Sequence, residues 1–164
     1  MFRARVWCSL LTIDVVKQAQ GGDHEAFEAL ARGAYHRLLA IAYRILRDQS
    51  AADDAVQRAL IHAWRELPSL RDPGRFDAWL YRLIVNACRD EQRQAQRWRV
   101  HATVTDINMP KAGSELDAFV ERNYLDGIFR KLSVEHRAVL VLHHYVGLSA
   151  PEVAAALGIP TGTV

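Results

Sequence analysis

Cysteine is nearly absent from the 164 residues: Cys8 and Cys88 are the two present, with no metal-ligand spacing and no framework of partners. That excludes a disulfide-stapled miniprotein and a thiolate metal site, and both are expected as free thiols. Charge of one sign is also missing, since 21 basic residues stand against 19 acidic ones, so a nucleic-acid footprint must be a local patch. Long apolar runs are missing too. Val6 to Leu11 follows Arg3 and Arg5, but it is interrupted by Ser9, is too short to span a membrane and lacks a small-residue cleavage pattern before Asp14. Residues 1–13 therefore read as an N-terminal extension, with no membrane insertion and a cytoplasmic location expected. Alternating apolar and polar runs bounded by turns, the mark of strands, do not occur. No Gly-rich phosphate loop and no G-x-S-x-G nucleophile motif is present, so catalysis has no residues to stand on and no cofactor is implied.

What is present is helical periodicity, in a chain that is 50% hydrophobic and 24% charged. The fold class is all-α, with two small helical domains joined by a linker. Phe27, Leu30, Ala34, Leu38, Ile41, Ala42 and Ile45 recur at helical spacing after Gly21, Gly22 and an N-cap at Asp23. A second helix is predicted from about Ser50 to before Pro68, burying Val56, Leu60, Ala63, Trp64 and Leu67. Asp53, Asp54, Gln57, Arg58 and Ile61 lie on or beside its outer face. Pro68 to Gly74, with two prolines, a glycine, Ser69 and Asp72, is a turn-rich loop.

The third helix is predicted from about Arg75 to Arg97, with Phe76, Trp79, Leu80, Leu83, Ile84 and Ala87 on its apolar stripe. Arg75, Arg82, Asn86, Arg89 and Arg93 follow at steps of seven, four, three and four, which aligns them along one other face. Six arginines stand against three carboxylates between Arg75 and Arg99, a concentrated positive charge of the kind that nucleic-acid binding requires. From Val100 to Gly113 the pattern lapses. A second unit follows, with apolar residues from Leu116 to Leu132, an N-cap at Ser133, a helix ending at Gly147 and an S-x-x-E capping box at Ser149 and Glu152. Ala154, Gly158 and Val164 fit the crossing, turn and entry positions of a helix-turn-helix, a pattern that a packing hairpin also shows.

These motifs resemble a known family. Asp54-Ala-Val-Gln57 with Ala63-Trp64, Phe76-x-x-Trp79-Leu80-x-Arg82-Leu83-x-x-Asn86-x-x-x-Asp90, and Gly147-Leu148-Ser149 with Gly158-Ile159-Pro160 and Gly162-Thr163-Val164 look like an extracytoplasmic-function (ECF) sigma factor. The resemblance implies a region-two domain over 14–98, a linker over 99–115 and a region-four helix-turn-helix domain over 116–164. Its implied partners are the clamp helices of the RNA polymerase largest subunit, promoter DNA and an anti-sigma factor. Asp53, Asp54, Gln57, Arg58 and Ile61 would meet polymerase. Leu70, Arg71 and Asp72, with Arg75, Arg82, Asn86, Arg89 and Arg93, would hold and melt the minus-ten element, and Thr161 and Thr163 would approach DNA from the second domain. Phe76 and Trp79 are read as core residues instead.

Two departures from the family pattern carry expectations. Arg58 stands where an acidic residue follows the glutamine and Ala55 replaces a larger aliphatic, so the polymerase contact is expected to be altered. The region-four recognition helix is expected to be cut short, since Thr161 to Val164 are all that follow the turn. Two rivals follow from the same residues. A metal site on His136, His143 and His144 lacks a closed ligand set, and a sigma-like protein that binds polymerase or an anti-sigma factor without efficient initiation would keep the same motifs.

Overall fold

The computed structural model describes residues 10–102, 127, 129 and 131–164, and within these six helices and no strand occur. Residues 103–126, including most of the expected linker and the apolar stretch from Leu116, lie outside the described residues, as does Cys8. No helix among the described residues is long and apolar enough to cross a membrane.

The first helix, α1 (Leu10–Gln20), begins within the expected N-terminal extension. It is held by a short stripe, Val16 and Ala19, both buried in the shared core. Gly21 and Gly22 end it, and Gly22 takes φ 95°, a left-handed value that glycine adopts without steric cost. Asp23 then caps α2 (His24–Leu46), its carboxylate accepting from the N–H groups of Glu25 at 2.9 Å and Ala26 at 3.1 Å.

Helix α2 closes at Arg47, which adopts φ 61° and donates its N–H to the Tyr43 carbonyl at 2.8 Å. Asp48 immediately caps α3 (Gln49–Glu66) through the Ala51 N–H at 2.8 Å. Two residues thus connect the helices, and so short a connection forces them antiparallel and adjacent. The buried stripe of α3 is mostly small, with Ala52, Ala55, Val56, Ala59 and Ala63, so its backbone approaches α2 and α4 closely. Leu60 and Trp64 are half-buried. The Trp64 ring lies 4.5 Å from His24 and 4.9 Å from Phe27 between centroids, closing the mouth of the hairpin.

After two short 3₁₀ turns, Leu67–Ser69 and Pro73–Arg75, α4 (Phe76–Ala102) crosses the whole assembly. An Arg37–Asp77 ion pair of 2.6 Å ties its first turn to α2. Leu80, Ile84, Val85 and Cys88 have at most 1% of their surface exposed. Burial pushes the Cys88 thiol up to about 12, Glu91 adding to the shift, so the sulfur packs as a small apolar group.

In the second unit, residues 127, 129 and 131 are helical, and α5 (Val134–Leu140) follows, capped by the Ser133 hydroxyl, which accepts from the His136 N–H at 3.3 Å. The chain continues as a π-helical stretch, Val141–Val146, and turns at Gly147 with φ 86°. Helix α6 (Ala150–Leu157) starts at the capping box, where the Glu152 carboxylate accepts from the Ser149 N–H at 2.7 Å and the Ser149 hydroxyl at 2.6 Å. The hydroxyl, first, and that N–H hold the Glu152 carboxyl below its ordinary range. Gly158 turns the chain at φ 67°, and a 3₁₀ turn spans Thr161–Thr163. Val134, Ala138, Val141, Leu142, Val153 and Leu157 join the same apolar cluster as α2 and α4, so this unit packs directly on the first.

The burial of Ala55 corrects one expectation. It is 0% exposed, in the α3 core stripe, so the small side chain sets helix spacing and is not part of an outer contact surface. Ala55→Leu is therefore expected to lower stability by about 1–3 kcal/mol through overpacking. A urea midpoint unchanged from that of the parent chain would show that the α3 contact has room for the larger side chain.

Candidate nucleic-acid and polymerase interface

The expected polymerase-facing set divides on the structure. Asp54, Gln57 and Ile61 follow one another at steps of three and four along α3 and are exposed, Ile61 to 51%. A large aliphatic side chain half in water, flanked by a carboxylate and an amide, has the composition of a small contact patch. Asp53 and Arg58 lie to either side of it. Asp53 turns to α2, accepting from the Tyr35 hydroxyl at 3.5 Å and from the Gln49 amide at 3.2 Å. Arg58 turns to α4, its guanidinium 2.7 Å from the Glu91 carboxylate and donating to Gln94 at 3.4 Å. Arg58 thereby supplies the countercharge for a buried carboxylate while its side chain stays 39% exposed beside the patch.

The loop that follows α3 is ordered by its own backbone. Leu67 is fully buried and Leu70 half-buried, while Arg71 and Asp72 are exposed. The Asp72 carboxylate accepts from the Gly74 N–H at 2.9 Å and lies 3.8 Å from Arg75. Gln20 of α1, which the periodicity did not single out, donates from its side-chain amide to the carbonyls of Leu67 at 3.1 Å and Leu70 at 2.7 Å. No sequence signal marks it except its place as the last residue before a Gly-Gly stop.

Arg82, Asn86, Arg89 and Arg93 of the predicted row lie on α4 and Arg75 ends the 3₁₀ turn before it, and the members differ in availability. Arg82 and Asn86 are exposed, and among the described residues Arg82 forms no ion pair. Arg75 and Arg93 are exposed and paired with Asp72 and with Asp90 at 3.4 Å. Arg89 is covered, its side chain 19% exposed, because it donates to Asn86 at 3.1 Å and faces Glu135 of α5 at 3.8 Å. Phe76 is buried and Trp79 half-buried against it, 5.9 Å between ring centroids, so both belong to the packing of α4.

Arg89 marks the edge where the second unit rests. Beside it, Arg137 is 7% exposed and donates to Gln92 at 3.2 Å, with its Nε unpartnered among the described residues. Burial is the largest of the effects that lower the affinity of Arg137 for its proton, with Arg47 next. Across the same junction, the Arg44 guanidinium of α2 lies 3.7 Å from the ring centroid of Tyr145. The Glu135 carboxyl is held below its usual range first by its own helix-terminal N–H, then by Ser133, Arg89 and Arg93, against the effect of burial. Thr161 and Thr163 are exposed at the far end of this unit.

The three histidines serve local structure. His136 stands 3.3 Å from the Ser133 hydroxyl, and the Nδ1–H of His143 donates to the Leu148 carbonyl at 2.7 Å. His143 and His144 meet edge to face, and no cluster of three His, Cys, Asp or Glu able to hold a metal occurs among the described residues.

Comparison with known proteins gives two family matches in chain order, Sigma-70 region 2 over residues 30–98 and Sigma-70 region 4 over residues 122–164. The chain is 33% identical over 150 residues to the ECF RNA polymerase sigma factor SigL of Mycobacterium tuberculosis, covering 87% of this chain and 85% of that one. It is 28% identical to the RNA polymerase sigma-H factor of Pseudomonas aeruginosa over 167 residues, covering 92% and 84% of the two chains. Among solved structures it is similar to CnrH in complex with the cytosolic domain of CnrY, at 29% identity and TM-score 0.65, covering 93% and 86%. The sigma factor RpoE of Bartonella quintana, in complex with the anti-sigma factor NepR, shares the fold at 24% identity and TM-score 0.63, covering 84% and 86%.

The Arg58–Glu91 pair beneath the α3 face has a titration consequence. Burial raises the Glu91 carboxyl above its ordinary range; Arg58 opposes this, and Asp54 and Asp90 reinforce it. The folded chain therefore holds this proton more tightly than the unfolded chain, so the group's contribution is full below the ordinary carboxylate range. It is lost as pH rises through the raised value. Glu91→Gln removes that dependence, and the urea midpoint of the variant should gain on the parent as pH rises from acid to neutral. A difference that stays constant with pH would assign the shift to other carboxylates.

Proposed function

The chain belongs to the ECF sigma factors of RNA polymerase, and on that premise we propose how its surfaces divide the work of promoter recognition and initiation. Asp54, Gln57 and Ile61 on α3 form the patch that docks on the clamp helices of the polymerase largest subunit. Asp53 and Arg58 complete the polymerase-binding set at the flanks of the patch, each also tied to a neighbouring helix. The loop Leu70 to Asp72 and the α4 row of Arg75, Arg82, Asn86, Arg89 and Arg93 take the minus-ten element, with the arginines on phosphates and the loop on an unstacked base. Thr161 and Thr163 meet DNA from the second domain. The domains are those over 14–98 and 116–164, with residues 99–115 between them.

The observation that carries this reading is the outward half of the first unit. An exposed apolar residue with two polar neighbours, an exposed loop and a row rich in arginine lie on three consecutive elements, and none of the three is consumed by the core. The protein acts by binding and not by catalysis, and works in the cytoplasm. An anti-sigma factor is the further partner, as RpoE of Bartonella quintana is seen with the anti-sigma factor NepR. Because Glu135 of the second unit pairs with Arg89, the full row meets DNA once that unit has left α4.

Two measurements test the assignment. Asp54→Arg should abolish most capture of core polymerase in a pull-down while helicity by circular dichroism is retained, and undiminished capture would remove the α3 patch from the interface. In assembled holoenzyme, replacing Arg82 and Arg89 together by Ala should reduce the slope of log affinity against log salt by up to about 2, one phosphate contact per arginine. An unaltered slope would leave the row as a solvated helix face.

A further inference from the structure

The loop assigned to promoter DNA is fixed by a residue that lies outside both family matches. Gln20 ends α1, ten residues before the region-two match begins at residue 30. Its primary amide has two N–H donors, and each has an acceptor: the carbonyl of Leu67 and the carbonyl of Leu70, the first and last residues of the turn that ends α3. The Leu67 carbonyl is one of the acceptors that a helix C-terminus leaves without an intrahelical partner. It also accepts from the Leu70 N–H at 3.1 Å, so both ends of the turn are tied to one side chain and to each other.

The remaining bonds complete the clamp. The Ser69 hydroxyl donates to the Glu66 carbonyl at 2.7 Å, and Leu67 is anchored by complete burial. On the far side, the Asp72 carboxylate holds the Gly74 N–H. Between the fixed Leu70 carbonyl and the fixed Asp72 side chain only Arg71 is left, and it is exposed. Helix α1 packs against both 3₁₀ turns that frame this loop, so Gln20 reaches it from a rigid support.

We infer that Gln20 is a positioning residue for base selection: its two hydrogen bonds preform the Leu70–Asp72 loop, so that the loop discriminates among bases before DNA arrives. The inference rests on the loop reading given under Proposed function. A preformed loop meets a wrong base with a misfit, whereas a loop that orders on contact adapts to several bases and pays ordering entropy with each. Removing the amide therefore lowers discrimination more than it lowers binding to polymerase.

The test uses holoenzyme assembled from core polymerase and the full chain, transcribing a template library randomised over the minus-ten element, with base preference read at each position by sequencing the transcripts. Gln20→Met keeps the length of the side chain and removes both donors; Gln20→Lys restores a donor. Gln20→Met should reduce the best-to-worst base ratio at one position by about tenfold, the scale of two hydrogen bonds to a backbone turn. Ratios elsewhere and capture of core should stay at parent values, and Gln20→Lys should recover part of the lost ratio. A uniform loss at all positions, or a fall in thermal stability with every ratio intact, would make the bonds merely structural and overturn the inference. Arg71→Ala and Asp72→Ala separate the two levels. If they shift a ratio and Gln20→Met does not, the inference falls alone; if they also leave every ratio unchanged, the loop reads no base and both fall.

Discussion

The structure depends on how much of α4 is buried. At about 100° per residue, its buried side chains, from Leu83 and Phe76 through Leu80, Ile84 and Cys88 to Tyr81 and Val85, cover an arc of roughly 200°. That arc packs against α2, α3, α5 and α6. A surface helix commonly buries little more than half this width. The polar residues of α4 are thereby confined to a strip, and the alignment of Arg75, Arg82, Asn86 and Arg93 follows from the apolar residues as much as from the arginines. The junction tolerates a carboxylate, Glu91, and a guanidinium, Arg137, within this belt because each has a partner on a neighbouring helix.

The same geometry grades the strip. Arg89 lies at its edge, closest to the second unit, and is the member that Glu135 reaches; Arg82 and Asn86 lie nearer the middle and are open to water. The pairs of Arg75 with Asp72 and of Arg93 with Asp90 are exposed and three residues apart, a class of ion pair worth no more than about 1 kcal/mol. Arg89 differs in that its partner Glu135 belongs to the second unit, across the same junction as the Arg44–Tyr145 stack and the Arg137–Gln92 bond. Two kinds of countercharge thus act on one row, one from neighbouring residues and the other from a second unit.

The helices of the first unit are legible because amphipathic periodicity and caps agree: Gly21, Gly22 and Asp23 mark the start of α2, and Pro68 to Gly74 mark the break before α4. Ser133, the Ser149–Glu152 box and the glycines at 147 and 158 are legible for the same reason, being local chemistry. Helix α1 is not, since two buried residues, Val16 and Ala19, make too short a stripe to stand out. Within the candidate site, Asp54, Gln57, Ile61 and Arg82 follow from helical phase alone. The partners of Arg58, Arg89 and Gln20 depend on contacts 33, 46 and 47 residues distant in the chain, which periodicity does not encode. Ala55 shows the converse: its size carries meaning only once α2 and α4 are known to flank it.

The π-helical stretch has a consequence for how this gene tolerates change. Counted in α-helical steps from Val134, the buried series would run through Ala138 and Val141 to residue 145, yet Tyr145 is 47% exposed and Val146 is buried. The wider turn holds one residue more than an α-helical turn, which moves the inward position on by one and leaves the aromatic ring at the rim, under Arg44. In the terms of molecular evolution, the segment behaves as an absorbed one-codon insertion. Loss of a single codon there would leave a more regular helix, yet would re-phase everything between Val141 and the turn at Gly147. The length of this segment is therefore constrained in its own right, because one residue fewer would turn Val146 out of the core whatever the side chains around it.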